Sequence, residues 1–503
     1  MHVRLKSILT ITLLAGALTT DAAWAQTNQS SQSNPPPAGG QSQTTGAGPT
    51  KPTQGAPPAQ PLPPLSAPGG EAQSQGGGEA APTDTRPLAG AQDITPSLPG
   101  EGRSYILPSF SIYAGGDTNA TLQPGVPPHL EFATIPVGSI QLNKVGSSNQ
   151  IGLDYTGGGL IYPSDFSQSA TFQYLGVSDT YSSRRWKLLG ADQVSYLPEA
   201  TFGFGGIGLG GVFNNAASVG LGTGFGALNP MVVPGQSILT STAGTTSNVV
   251  LGQAQYSVSP RSTISAFGSY GIFHYQQAGL ADGSDSMFSV SYDLNVTSVD
   301  TISVSYSFVA DRFSAGTVKI NQNLWRVGYG RRITDRMSLM VLGGPMWISS
   351  AVQSIPGVTQ QWTYVVQGSL RYQLPRTGLS LTYLHYVTPG SGVYYGAQTD
   401  TLNGGFSREL TRKWTVSVYG GYARNEQLGS FSVNPNYGNP GVVDYVNGSF
   451  RLSRIFGRYA RGYAVYTIEH QTSATALPGL AGRVINRQIF GIGFELHPRP
   501  MAL

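Results

Sequence analysis

Beyond its first 25 residues the chain carries five histidines, His129, His274, His385, His470 and His497, and no cysteine. Hydrolysis at a membrane surface would need one of these imidazoles beside a Ser or Asp that it activates or that orients it. The sequence has neither a G-x-S-x-G elbow nor an H-E-x-x-H pair. His385 sits in LTYLHY, in alternating register with Leu381 and Tyr383, which suits an interfacial or lipid-facing residue better than a base. His274 and His470 fall near the ends of long loops. Without cysteine there is no thiolate nucleophile, disulfide or Cys-based metal site. A glycine-rich run, TFGFGGIGLGGVFNNAASVGLGTGFGALNP (201–230), has G-x-G spacings but no Lys-Ser/Thr and no helix pattern after it. It does not read as a phosphate cradle. The sequence therefore predicts no enzyme, no cofactor and no metal. The chemistry left is charge: Arg326, Arg371, Arg451 and Arg461, with Asp293 and Glu409, which fall on the polar side of apolar/polar alternations near short turns. As lining residues they would make a basic constriction at one rim of a pore.

The elements that must position these charges are strands. In TISVSYSF (301–308), Ile302, Val304, Tyr306 and Phe308 alternate with Ser303, Ser305 and Ser307. Successive side chains of a strand point to opposite sides, so this period of two implies two faces with different surroundings. MFSVSYDLNV (287–296), YVVQGSLRYQL (364–374), WTVSVYGGY (414–422) and IFGIGFEL (489–496) repeat the pattern, and no helical period of comparable length appears.

The connections alternate in kind. One set is short and carries turn-forming or charged residues: 144–149, 181–186, 259–262, 297–300, 331–336, 374–378, 409–413 and 452–458. The other set is longer and polar or glycine-rich: 197–247, 276–284, 312–317, 349–360, 388–396, 424–441 and 471–485. Short turns at one rim and long loops at the other mark a transmembrane β-barrel. The spacing predicts 16 to 18 antiparallel strands, the first near 104–116. Trp186, Trp347, Trp362 and Trp414 fall at strand ends, where amphipathic rings prefer the membrane interface, whereas Trp325 falls mid-strand. The serine face would then look into a lumen and the apolar face into lipid.

Composition agrees. Charged residues make up 11% of the chain, against about 25% in soluble domains, while Gly (67) and Tyr (26) are abundant. Residues 1–25 read as a Sec-type signal peptide: Arg4 and Lys6, a short apolar run, then Ala23-Trp24-Ala25. That run is too short to span a bilayer. Residues 26–102 form a Pro/Gly/Gln/Ser-rich arm, with 15 of the 34 prolines between 26 and 100. Such a composition cannot bury enough apolar surface to offset chain entropy and predicts a disordered periplasmic linker. Residues 103–503 would form the barrel. Of 29 basic and 25 acidic residues, Arg4, Lys6 and Asp21 belong to the leader, which leaves 27 and 24 and no electrostatic case for nucleic acid.

Segments such as DQVSYLPEATFGFGG (192–206), YGRRITDR (329–336), LPRTGLSLTYLH (374–385), GSGVYYGAQTD (390–400), GYARNEQL (421–428) and FELHPRP (494–500) resemble an uncharacterised family of outer-membrane β-barrel proteins from acidobacteria. The resemblance spans roughly residues 140 to 503. It implies the fold and a place in the outer membrane of a Gram-negative bacterium, but no substrate or catalytic residue. The last strand also resembles the signal read by the barrel-assembly machinery, although HPRPMAL (497–503) follows it. The expected function is a porin-like channel for small polar solutes, with selectivity set by loop 197–247 and the lumen arginines; the loop's glycine-rich run reads either as a flexible surface loop or as one that folds into the barrel and narrows it. The alternative is a structural anchor that presents the Pro-rich arm to an envelope or secretion partner. Expected partners are outer-membrane lipid, the assembly machinery during biogenesis, and a periplasmic partner of the arm.

Overall fold

The computed structural model describes residues 104–120, 129–164, 169–197, 245–275, 282–313, 318–352, 355–388, 396–428, 441–457, 459–473, 484–496, 498 and 501–502. The expected leader (1–25), the arm (26–102), the glycine-rich run 201–230 and His497 lie outside the described residues.

Eighteen long strands follow one another. They are β1 (Tyr105–Asp117), β2 (Glu131–Val145), β3 (Asn149–Leu160), β4 (Ala170–Ser182), β5 (Trp186–Leu197) and β6 (Thr245–Ser259). Next come β7 (Ser262–Tyr275), β8 (Gly283–Asn295), β9 (Asp300–Phe313), β10 (Val318–Thr334), β11 (Met337–Val352) and β12 (Ile355–Leu374). The last are β13 (Thr377–Thr388), β14 (Ala397–Glu409), β15 (Trp414–Gln427), β16 (Val442–Phe456), β17 (Ala460–Ser473) and β18 (Val484–Leu496), with a two-residue β19 (Met501–Ala502). Each long strand pairs antiparallel with the next. β1 also pairs with β18, from Phe110↔Leu496 to Asp117↔Ile489, and this closes the barrel. Closure removes the unpaired edges that hydrocarbon cannot satisfy. β19 continues that seam on Tyr105 and Ile106.

All eight expected short connections stand between consecutive strands at one rim. Their Ser and Thr hydroxyls accept backbone N–H groups, as a turn residue does when it mimics a bend. Val299 and Asp300 donate to Thr297, Trp186 to Ser183, and Lys413 and Trp414 to Thr411. Gly457 takes φ +72°, a left-handed turn conformation that favours glycine.

The opposite rim differs in two ways from expectation. Connections after β1 (118–130) and β3 (161–169) belong to it and were not among the expected long loops. The predicted long loop 349–360 is mostly strand, with β11 and β12 separated by 353–354, and the predicted 312–317 shortens to 314–317 between β9 and β10. SSAVQSIPGVTQQW keeps β-compatible Val, Ile and Thr among its polar residues, so pairing persists where hydrophobicity falls.

The two faces separate as the alternation requires. Ile302, Val304 and Tyr306 are exposed on the outside, while Ser303, Ser305 and Ser307 are buried inside. Their direct cross-strand neighbours continue the outer surface: Leu294–Ile302–Tyr329 and Tyr292–Val304–Val327. Phe288, Val290 and Tyr292 on β8 and Phe490, Ile492, Phe494 and Leu496 on β18 are outward and exposed as well. A continuous apolar exterior around a closed sheet far exceeds the few hundred Å² that soluble monomers tolerate. It requires lipid. Among the described residues no helix is long and apolar enough to cross a membrane.

The tryptophans sit as interface anchors. Trp186 packs on Tyr256 (4.7 Å between ring centres) and Arg454 lies over Trp414 (5.2 Å), both at the short-turn rim. Trp347 and Trp362 are direct partners on β11 and β12. Trp325 joins them: it faces outward and stacks on Trp362 at 6.1 Å. Trp347 and Trp362 are not at strand ends as expected: β11 and β12 run on beyond them, so all three rings lie at one level inside their strands.

Candidate functional site

The chain's capacity for chemistry lies on the inner wall, and the wall has two unlike parts. From β4 to β13 it is largely apolar at mid-height: Tyr174, Leu189, Leu251, Phe267, Met287, Leu324, Met346 and Leu384 belong to one buried cluster. From β16 through β18 to β3 it mixes a second apolar cluster, with Tyr113, Ile135, Val137, Tyr463 and Val465, with charged and polar groups, Arg451, Arg461, Glu469, Arg487, Glu495, Asp117, Gln141, Asn143 and Asp154, all buried.

The six expected lining residues all project inward. Asp293, Arg371, Arg451 and Arg461 lie within five residues of a short-turn strand end and Glu409 is the last residue of β14. Arg326 does not share that level. It is the central residue of β10, eight positions from the strand's end, because β10 is 17 residues long. Nor do the six converge. They are spread over β8, β10, β12, β14, β16 and β17, and Arg451 and Arg461 come together. Arg451 lies over the Tyr463 ring, 3.8 Å from its centre, and Arg461 approaches Glu495 at 3.9 Å. Arg326 donates to Ser307 on β9 (2.7 Å). In place of one basic ring there is a basic pair beside an acid, and a separate arginine at mid-wall.

The strongest ionic group was not anticipated. Arg487 on β18 is fully buried, is paired with Asp117 on β1, and lies 3.6 Å from Glu469 on β17. Tyr445 on β16 donates to Glu469 (3.2 Å). This group stands near the long-loop end, across the seam where the barrel closes. The alternation of VINRQIFGIGFEL places Arg487 and Glu495 on the polar face, so both were within reach of the same rule. Their partners were not, because Asp117 is 370 residues away in sequence.

Among the described residues, His129, His274, His385 and His470 form no hydrolytic constellation. His385 faces outward, yet only 3% of it is exposed. It is stacked on Tyr364 (4.3 Å), with Nδ1 against Asp400 (2.7 Å) and Nε2 accepting from the Gln398 amide (2.9 Å). It is thus shielded from lipid by aromatic and amide cover, and Gln398 fills the place that a nucleophile would need. His274 pairs with Asp282, His470 with Asn486 and His129 with Glu131. Among the described residues no group of three or more His, Asp or Glu could hold a metal ion.

On β8–β10 the inner face is enclosed, whereas inward Ser369 and Arg371 on β12, Ser407 on β14 and Ser449 on β16 are only partly buried. Arg326 is 1% exposed and Ser289 and Ser307 are 0%. A ring of 18 strands is wide enough for an aqueous channel, and the wall of such a channel would keep these groups wet.

Fold and wall together define a membrane-spanning β-barrel with a charged interior. No protein-family model matches the chain, and no curated protein sequence is similar to it. Solved structures with a similar fold include the BenF-like porin from Pseudomonas fluorescens Pf-5 (7% identity, TM-score 0.43, 80% of this chain and 99% of that one). They also include OccK2 (OpdF) of Pseudomonas aeruginosa in complex with glucuronate (8%, TM-score 0.42, 79% and 99%). The ferric citrate transporter FecA in its unliganded form matches at 8% and TM-score 0.40, over 73% of this chain and 60% of the transporter, less than two thirds of its length.

Proposed function

We propose that the chain is an outer-membrane channel of the porin kind, through which small polar solutes diffuse passively along the charged part of its inner wall. The observation that carries this reading is the rim-to-rim placement of inward charge on β16–β18 and β1: Arg487, Glu469 and Asp117 at the long-loop end, Arg451, Arg461 and Glu495 at the other. Ionisable groups inside a membrane protein are expensive, and they are kept where they line a path or fix a structure. Selectivity would come from these charges and from the width the interior leaves. The home of such a barrel is the outer membrane of a Gram-negative bacterium. Its apolar last strand is the segment that the barrel-assembly machinery would receive.

The enclosure of Arg326, Ser289 and Ser307 favours a second reading, a closed barrel that anchors residues 26–102 for a periplasmic partner. Planar-bilayer conductance of the purified full chain separates the two. Discrete channels that persist when 26–102 are deleted support the first. No conductance, with loss of an envelope phenotype on the same deletion, supports the second.

A further inference from the structure

On the outer face of β9 and β10, towards the long-loop rim, two cations stand side by side. Arg312 and Lys319 are direct register partners, both outward, with Arg312 half-buried and Lys319 exposed. Direct partners in an antiparallel pair have Cβ atoms about 5 Å apart, and like charges so placed are destabilising. Their surroundings offer no relief. The row runs Ser284, Arg312, Lys319, Ala351 from β8 to β11, and the next row towards the membrane is Ser286, Ala310, Asn321, Ser349. Neither holds an acid. Asp285 and Asp311 face inward, where Arg312 acts on Asp311 from across the sheet, and Asp282 is engaged by His274 (2.8 Å). Among the described residues Lys319 forms no ion pair. Arg424 on β15 is a contrast at the same rim, since it stands between Asp400 and Asp444 in its row.

The pair is pre-set for an anion. Arg312 donates to the backbone oxygens of Asp311 (2.8 Å) and Ile320 (3.2 Å) and to Asn321 Oδ1 (2.8 Å). These bonds hold the guanidinium against β10 without using all five of its N–H groups, and they leave the Asn321 NH2 as a further donor. Depth suits a headgroup. Arg312 is twelve residues along β9 from Asp300 at the short-turn rim. At a rise of about 3.4 Å and a tilt of about 40° that is roughly 30 Å, just beyond an apolar band about 25 Å tall. A headgroup layer of about 5–8 Å begins there. On the membrane side of the pair, Phe308, Asn323, Trp347 and Trp362 form one row of the outer surface.

We infer that Arg312, Lys319 and Asn321 bind the phosphate of a lipid headgroup in the leaflet at the long-loop side, with the acyl chains lying on the aromatic face below. A phosphate takes charge-assisted bonds from guanidinium and ammonium together and cancels the repulsion between them. A free phosphate ion would meet the same donors but gain nothing from Phe308 and the indole rings. The inference rests on the outer-membrane placement proposed above and not on conduction.

The test uses the full chain folded in detergent micelles, with bound lipid counted by native mass spectrometry. The probes are diphosphoryl lipid A, the same lipid with both phosphates removed, and sodium phosphate as competitor. Each basic residue near an anionic lipid surface is worth about fivefold in affinity. Arg312→Gln/Lys319→Gln should therefore bind the diphosphoryl lipid roughly 25-fold more weakly than wild type, and Lys319→Gln alone about fivefold. Arg424→Gln should bind as wild type does. Lys319→Gln removes no ion pair from the sheet, so it reports even if the double variant does not fold. Sodium phosphate should displace the lipid only far above the lipid's own concentration. Equal affinity in wild type and Lys319→Gln overturns the site, since the lipid is then held elsewhere. Equal binding of the dephosphorylated lipid overturns it too, since the aromatic face then suffices. Displacement by phosphate at the lipid's own concentration overturns the lipid assignment in favour of a free anion. A chain that gives no folded band on unheated gels overturns the barrel reading, whereas a folded chain that binds no diphosphoryl lipid overturns this site alone.

Discussion

Val304 and Ser305 are chain neighbours on opposite faces of β9, and arginine at each should fail for a different reason. Val304 is 53% exposed on the outside. Its depth follows from the strand. Asp300 marks the interface, where it accepts from Tyr329 (2.6 Å) and Thr297 (2.7 Å) and lies 3.7 Å from Arg331. A rise of about 3.4 Å per residue and a tilt of about 40° give roughly 2.6 Å of depth per residue. Four residues from Asp300 is therefore about 10 Å, near the middle of an apolar band about 25 Å tall. Val304→Arg should cost about 2–4 kcal/mol, the penalty for a cation at the midplane. Ser305 faces inward, directly opposite Arg326, and is only 7% exposed. Had the inner face been a wet wall, Ser305→Arg would be tolerated. In an enclosed wall it sets two guanidiniums about 5 Å apart, a repulsion of about 3 kcal/mol at an effective dielectric constant of about 20.

A double-mutant cycle with Arg326→Ser distinguishes the two. The Ser305→Arg/Arg326→Ser pair should be about 2–3 kcal/mol less destabilised than the sum of its single changes. Val304→Arg combined with Arg326→Ser should be additive to within about 0.5 kcal/mol. The assay is equilibrium urea unfolding in lipid vesicles, followed by tryptophan fluorescence. Tolerance of Val304→Arg would show that the outer face does not meet lipid. Absence of coupling between residues 305 and 326 would refute the enclosed inner wall.

Arg487→Met should destabilise by about 3–5 kcal/mol, because Asp117 and Glu469 are left buried without their cation; adding Asp117→Asn and Glu469→Gln should restore most of the loss, read as the temperature at which the folded gel band disappears. Replacing Arg326, Arg371, Arg451 and Arg461 by Gln should remove a small anion preference in the reversal potential across a salt gradient. The preference is small because Glu495, Glu409 and Asp293 oppose it, and an unchanged potential would reduce these arginines to wall residues. The chain has no native cysteine, so single cysteines report access cleanly. Ser449→Cys, on the inward face of β16, should react with a charged thiol reagent faster than Ser289→Cys on the inward face of β8, and equal rates would refute a path along the charged part of the wall.

The strands were legible because lipid and interior impose opposite chemistry on alternate residues, and TISVSYSF records both in eight positions. Short turns were legible for a similar reason: Thr297, Ser183 and Thr411 are there to satisfy backbone groups, which ties residue type to place. Strand length at the other rim was not, since outside the membrane band pairing needs only β-compatible residues, and β11 and β12 run on through a polar sequence. Depth was not legible either. Trp347 and Trp362 read as strand ends, yet they lie inside β11 and β12 at the level of Trp325, because those strands continue through the polar sequence beyond them.

What alternation could not report is whether the polar face is wet. Serine suits a water-lined wall and an enclosed one equally, so Ser303, Ser305 and Ser307 decide nothing. Burial of Arg326 does decide, because a guanidinium gives up strong hydration only where other groups replace it, as Ser307 does in part. The same logic orders the charged groups by what their partners imply. Arg487 is matched by two acids on neighbouring strands, which makes it a brace across the β1–β18 seam and suits it poorly to meeting a passing solute. Arg451 is held by an aromatic face and a nearby acid, so part of its field remains directed inward. Asp285 and Asp311 are register partners on β8 and β9, with Arg312 acting on Asp311 and Asp285 Oδ1 buried without a hydrogen-bond donor. Buried charge that is fully paired holds the barrel shut at its seam, and buried charge that is underpaired is where an ion or solute has something to gain. The inner wall carries both kinds, on opposite sides, and that asymmetry rather than a single ring of arginines is what its selectivity must be built from.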